Sequence, residues 1–178
     1  QENDILLNAS HTHSGPQTLE GMLEGVGRQN RMYKNFLFES ILSCIEEALS
    51  TMEEGEFYTG KALCGFNVNR RLITEGRAES KPNEAGPVDK EVMVFQFTVG
   101  EKTKCVLFSY ACHPSTVHTK FVSADYPGVA KNVIETGFKE QAGDTGVITI
   151  FMQGCCGDIR VRTVEGDRFR SGTFDDVA

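Results

Sequence analysis

Apolar residues recur at three- and four-residue steps between about residues 31 and 52. Phe38, Ile41, Leu42, Ile45, Ala48, Leu49 and Met52 share one side of a helical projection, which predicts a helix with that face on the core. Glu46, Glu47, Glu53 and Glu54 fall mostly on the other side and read as a solvated face. A period of two takes over at 91–99, where Met93, Phe95, Phe97 and Val99 alternate with Val92 and Val94, as a strand requires. Gly100-Glu-Lys is a turn, and 103–112 returns as the second strand of a hairpin. Asp125-Tyr-Pro-Gly opens a second helix running to about 141, with Asp125 as its cap, Pro127 in its first turn, and Val129, Val133 and Phe138 toward the core. Residues 146–152 are continuously apolar and β-branched, the pattern of a buried strand. Residues 4–10 read as a short buried strand ending at Ser10-His11, and 56–70 as extended chain. Residues 74–89, with Gly76, Pro82, Gly86 and Pro87, read as a loop.

Strand 103–112, helix 125–141 and strand 146–152 together predict a right-handed crossover between parallel strands. The fold class is therefore α/β, a mixed β-sheet with flanking helices. In such sheets ligands gather beyond the carboxyl ends of the strands. Three polar or glycine-rich segments follow strand ends here: the one around His11 and His13, the one opening at His113, and Gly154-Cys-Cys-Gly-Asp158. No internal repeat or low-complexity tract divides the chain, so 1–178 reads as one domain. The apolar run at Ile5 comes at once, and a helix start at Thr173 or Asp175 stops within a turn. Both lead to the expectation of a fragment lacking its start and its C-terminal continuation.

Composition narrows the function. At 178 residues, 39% hydrophobic and 24% charged, the chain is long enough for a core of its own. A net charge of −7 argues against nucleic acid as a partner, which would call for a basic stripe. No apolar run approaches the roughly 20 residues of a transmembrane helix. No basic stretch leads into an apolar one near residue 1, and the compartment stays open. The six cysteines, Cys44, Cys64, Cys105, Cys112, Cys155 and Cys156, contain no CxxC pair, so a cysteine zinc site is not expected. Cys44, Cys105 and Cys112 read as small buried hydrophobes. Phosphate-loop and Gly-x-Ser-x-Gly signatures are absent; the spaced glycines from Gly21 to Gly27 do not match the former.

Three of the four histidines lie at the predicted strand ends. His11 and His13, two apart in extended chain, point the same way, and His113 from a neighbouring strand end can complete part of a metal site. Ordinary loop histidines are the alternative, and His118 is read as solvated. Asp158, among glycines, is a candidate to orient a histidine or bind metal, or is a plain turn residue. Arg70, closing Gly65-Phe-Asn-Val-Asn-Arg, is a candidate to hold an oxyanion, against the alternative of a surface arginine.

Five segments in this order, Ala9-Ser-His-Thr-His-Ser-Gly-Pro16, Gly65 to Arg70, Phe108-Ser-Tyr-Ala-Cys-His-Pro114, Ser123-Ala-Asp-Tyr-Pro-Gly128 and Phe151-Met-Gln-Gly-Cys-Cys-Gly-Asp158, resemble the catalytic N-terminal domain of the neutral/alkaline, non-lysosomal ceramidases, in their divergent bacterial branch. The resemblance implies an α/β domain with Zn2+ that hydrolyses the N-acyl bond of a lipid-like or small-molecule substrate, and a secreted or periplasmic location. It implies His11 and His113 as zinc ligands, His13 beside the metal and the scissile amide, and Arg70 near the substrate. It further implies a glutamate and a tyrosine ligand from later in the chain, beyond residue 178. The family continues Gly-Asp-x with Ser-Pro and gives that serine a catalytic part; here Gly157-Asp-Ile leads to Arg160-Val161. The resemblance thus supports a zinc-dependent amidohydrolase working by metal-activated water, with a catalytically inactive binding or envelope-associated module of the same fold as the alternative. Cys155 and Cys156 are the thiols near the position of Arg160, but their flanking glycines do not by themselves lower a thiol pKa, and nothing in the spacing supplies Ser115, after His113-Pro114, with a base.

Overall fold

The computed structural model describes residues 5–20, 28–117, 120–143 and 145–173. The expectations for His118, for Gly21 to Gly27 and for a helix at Asp175 lie outside them. The chain divides into two compact units, Gly15–Glu54 and Gln1–Ser14 with Gly55–Ala178.

The first unit is built on helix α1 (Arg31–Ser50). Asn30 starts it, its side chain accepting from the Tyr33 N–H at 3.0 Å. Thr51 ends it, both its N–H and its hydroxyl donating to the Glu47 carbonyl. The periodicity predicted this helix, but the expected burial of its apolar face is not found. Phe38 and Leu49 are exposed, and no residue of α1 is buried. Within this unit the described residues supply no second element on which that face can pack.

The second unit carries a four-stranded sheet in the order β1 (Glu56–Leu63), β4 (Glu91–Val99), β5 (Lys102–Tyr110), β6 (Ile148–Gln153). It also holds strands β2 (Asn67–Thr74), β3 (Arg77–Asn83) and β7 (Ile159–Val161), and a small hairpin of β8 (Val164–Glu165) and β9 (Arg168–Phe169). β1, β4 and β5 are antiparallel, whereas β5 and β6 run parallel and are joined by helix α2 (Asp125–Ala142). The sheet is thus mixed and the fold α/β, as the pattern predicted. Gly143, at φ 69°, ends α2 in the left-handed conformation that glycine adopts without steric cost.

Tyr126, Ala130, Ile134 and Phe138, at four-residue steps on α2, line one apolar cavity of about 530 Å³ with Val92, Val94, Val106, Phe108 and Tyr110 of the sheet. This stripe starts from Tyr126, so the expected Val133 falls off it and is 62% exposed. On the sheet's other face Phe57 and Phe95 stack, ring centroids 5.6 Å apart. Two aromatic faces explain why the alternation at 91–99 is apolar on both sides.

β3, β2 and β7 form a second, antiparallel sheet. β3 corrects the reading of 74–89 as a loop: Glu75 and Gly76, both at positive φ, turn the chain tightly, and the loop is confined to the residues between β3 and β4. β3 is an edge strand rich in charged residues, so it lacks the apolar alternation that marks a strand.

Three further expectations are corrected. Residues 5–10 form no strand and Ile5, Leu6 and Leu7 are exposed. Here a side chain replaces the ladder: Asn8 Oδ1 accepts from the Gln153 N–H at 2.9 Å, and Asn8 Nδ2 donates to the Gln153 carbonyl at 3.4 Å. Asp125 is not the helix cap, a position held by Ala124. It is buried at φ 55°, and its carboxylate accepts from the N–H groups of Tyr126, Thr116 and Val117 at 2.7–3.0 Å. The demand of the buried 113–117 segment for acceptors outweighs capping here. All six cysteines are free; Cys112 is buried as expected, but Cys44 is exposed and Cys105 only half-buried. Among the described residues, no helix is long and apolar enough to cross a membrane.

Candidate metal centre

β5 delivers the chain to a wholly buried run, Ala111 to Thr116. Asn67 of β2 secures its start, its amide donating to the Ala111 carbonyl at 2.8 Å and the Asp89 carbonyl at 2.7 Å. His113 sits in this run at 5% exposure, bridged to Arg160 of β7. Its Nδ1 faces two carbonyl oxygens, of Cys156 at 2.6 Å and Ile159 at 3.1 Å. Carbonyls only accept, so Nδ1 carries the proton and Nε2 presents its lone pair. Burial, then the nearby Arg70 charge, pull the pKa of His113 down to about 4, which keeps the ring neutral at pH 7.

That lone pair points at His11. The two Nε2 atoms are 3.0 Å apart, and the ring centroids 4.6 Å. The His13 ring lies 5.2 Å from that of His11 and 5.5 Å from that of His113. The three imidazoles therefore meet, though not in the way an extended His-Thr-His would bring them together. His11 is at φ 61°, so the chain turns at this residue. Thr12 and His13 fix the turn, by Thr12 Oγ1 donating to the Ser123 carbonyl at 2.7 Å and the His13 N–H to the Pro114 carbonyl at 3.3 Å.

Arg70 joins them from β2. Its Nε and Nη2 both donate to the Gly157 carbonyl, at 3.3 and 2.8 Å, and Nη2 lies 3.4 Å from His113 Nε2. Both Nη1 N–H groups are left for a ligand, since no acceptor among the described residues takes them. Arg70 is thus no surface arginine. Asp158 lies in a turn, the plainer of its two readings, and its carboxylate bonds elsewhere than to a histidine. Its Oδ2 accepts from Asn69 Nδ2 at 3.0 Å, and backbone carbonyls orient the histidine in its stead.

One residue was missed. Cys156 Sγ and ring nitrogens of His11 and His113 all lie within 4.8 Å of one another. No CxxC spacing marks it, because the partners of this thiol come from two distant segments; the signal was Gly154-Cys-Cys-Gly directly after β6. Burial pushes the Cys156 thiol up, against an opposing pull from Arg70. Cys155 is exposed, and Ser115 is buried with its N–H donating to the His113 carbonyl.

A zinc fits this donor set. Two nitrogens sharing one tetrahedral zinc lie roughly 3.3 Å apart, against the 3.0 Å found. One ring is locked in the tautomer that offers Nε2, and a soft sulfur stands within reach.

Residues 1–172 match the family described as neutral/alkaline non-lysosomal ceramidase, N-terminal. Among curated proteins, none matches the chain. The fold is similar to that in the crystal structure of neutral ceramidase from Pseudomonas aeruginosa, with a TM-score of 0.70 and 20% identity. That likeness covers 96% of this chain and 28% of the solved one.

Proposed function

Because the chain belongs to the neutral/alkaline non-lysosomal ceramidase family, we propose that it contributes the metal-holding half of a zinc-dependent hydrolase that cleaves an N-acyl bond in a lipid-like or small-molecule substrate. The observation that carries this reading is the His113 imidazole. It is buried, neutral, locked by two carbonyls, and has its free nitrogen 3.0 Å from that of His11. His11 and His113 would hold the metal. Zinc, when bound, supplies a Lewis acid and lowers the pKa of water toward ~7.

The chain's own residues supply the rest. The Gly157 carbonyl fixes the Arg70 fork, so its two Nη1 N–H groups are preorganised to meet oxygen charge as it develops. His13 is exposed at the rim, where an imidazole exchanges protons with solvent and can take or return one at the reacting centre. Among the described residues a covalent route has no ready nucleophile. Burial raises the Cys156 thiol, and Arg160 stands where the family carries its serine. Asp158 acts at one remove, by holding Asn69.

The test is incubation of the protein with an N-acyl substrate, with and without chelator, followed by intact-mass analysis after rapid quench. The expected result is chelator-sensitive release of the fatty acid with no acylated protein. An acyl adduct that turns over on Cys155, Cys156 or Ser115 contradicts the direct route. A second reading, a family member that binds without turnover, draws on Arg160. It predicts zinc bound and no hydrolysis of amide, ester or lactam.

A further inference from the structure

Arg160 takes no part in the chemistry proposed above, yet it is placed against it. Val68 pairs with Arg160 in the β2–β7 ladder, and the Arg70 N–H donates to the Asp158 carbonyl at 2.7 Å one step further along. Arg70 and Arg160 are therefore diagonal neighbours on one face of this sheet, with Cα atoms roughly 7–8 Å apart. Arg160 is also bridged to His113 through the backbone. Its guanidinium lies over the Phe169 ring, 4.9 Å from the centroid, which sets its orientation.

Neither arginine forms an ion pair among the described residues, and the Arg160 Nε is buried without an acceptor. Among the described residues, Asp158 is the one carboxylate whose field reaches Arg70, and it is already bonded to Asn69. Burial pulls both guanidinium pKa values down; after it, Arg71 acts on Arg70 and Arg70 acts on Arg160. Two half-buried cations without an ion-pair partner among the described residues leave an excess of positive charge at this site. A neutral substrate would leave that charge uncompensated; an oxyanion would accept paired N–H bonds from it.

We propose that the substrate of this site carries an oxyanion, a carboxylate or a phosphate, bound by Arg70 and Arg160. The inference rests on the N-acyl hydrolase reading and names the substrate class within it.

The test is binding by calorimetry of three ketone isosteres, each with CH2 in place of the amide nitrogen so that none is cleaved. They mimic N-lauroylglycine, N-lauroylethanolamine phosphate and N-lauroylethanolamine. At least one anionic probe should bind about tenfold more tightly than the neutral one, and the tighter anion identifies the source. The advantage should shrink with added salt. It should fall by about tenfold in Arg160→Gln and be partly kept in Arg160→Lys, with the Kd of the neutral probe unchanged. A loss of fold in Arg160→Gln would weaken all three probes together, and the wild-type comparison then decides. Anions that bind no tighter than the neutral probe, or an advantage that survives Arg160→Gln intact, would overturn the inference while the N-acyl reading stands. If none of the three binds, both fail.

Discussion

The two halves of the histidine cluster are built differently. His113 stands in a buried run, with both carbonyl partners for Nδ1 supplied by the chain around Cys156 and β7. His11 and His13 are exposed, on a turn with one residue at positive φ that Thr12 and His13 tie to the Ser123 and Pro114 carbonyls. The first half owes its geometry to folding, and folding alone fixes its tautomer. The second half carries backbone strain of order 1 kcal/mol at His11, and on the zinc reading proposed above that strain is held for the ligand. On the same reading the site has one preset donor and one completed by the metal.

The largest effect should come from breaking the buried side. Asp125→Ala removes the acceptor of the Thr116 and Val117 N–H groups and should cost about 3–5 kcal/mol in a denaturant titration. A loss under 1 kcal/mol would mean that water replaces it. His113→Ala should come next, at about 2 kcal/mol, because two inward carbonyls lose their donor. His11→Ala, on the exposed side, should leave thermal stability nearly unchanged. If the two alanine variants melt alike, the contrast between the halves is wrong.

The element types were largely legible because packing, not special chemistry, decided them. The alternation in β4 and the helix start at Asp125-Tyr-Pro-Gly were enough for the elements, although the cavity-lining stripe of α2 runs from Tyr126 to Phe138 and not through Val133. β3 was not legible, since an edge strand needs no apolar face and Gly76 and Pro82 mimic a loop. The Ile5-Leu6-Leu7 run misled in the opposite sense, as apolar residues with no sheet partner. In the candidate site, His11, His13, His113 and Arg70 were legible as polar residues of short motifs, though only His113 follows a strand end: no strand precedes His11 among the described residues, and Arg70 lies within β2. Cys156 was not, because a ligand set drawn from three separate segments leaves no spacing to read. Nor was the bond from Asn69 that takes Asp158 away from the histidines.

Smaller changes sharpen the exposed half. Thr12→Val deletes the bond to the Ser123 carbonyl and should cost about 1 kcal/mol while weakening metal affinity through the His11 turn. Unchanged affinity would show that the turn does not position His11. His11→Gly should relieve the positive φ and raise stability by up to about 1 kcal/mol as metal binding is lost. A destabilised His11→Gly variant would remove the argument that this residue is strained for its ligand.

The central claim, that His11 and His113 together hold zinc, is tested most directly by elemental analysis of the purified protein and of His11→Ala and His113→Ala. The account predicts about one zinc per chain in the wild type and almost none in either folded variant. Full occupancy retained in either variant would contradict it.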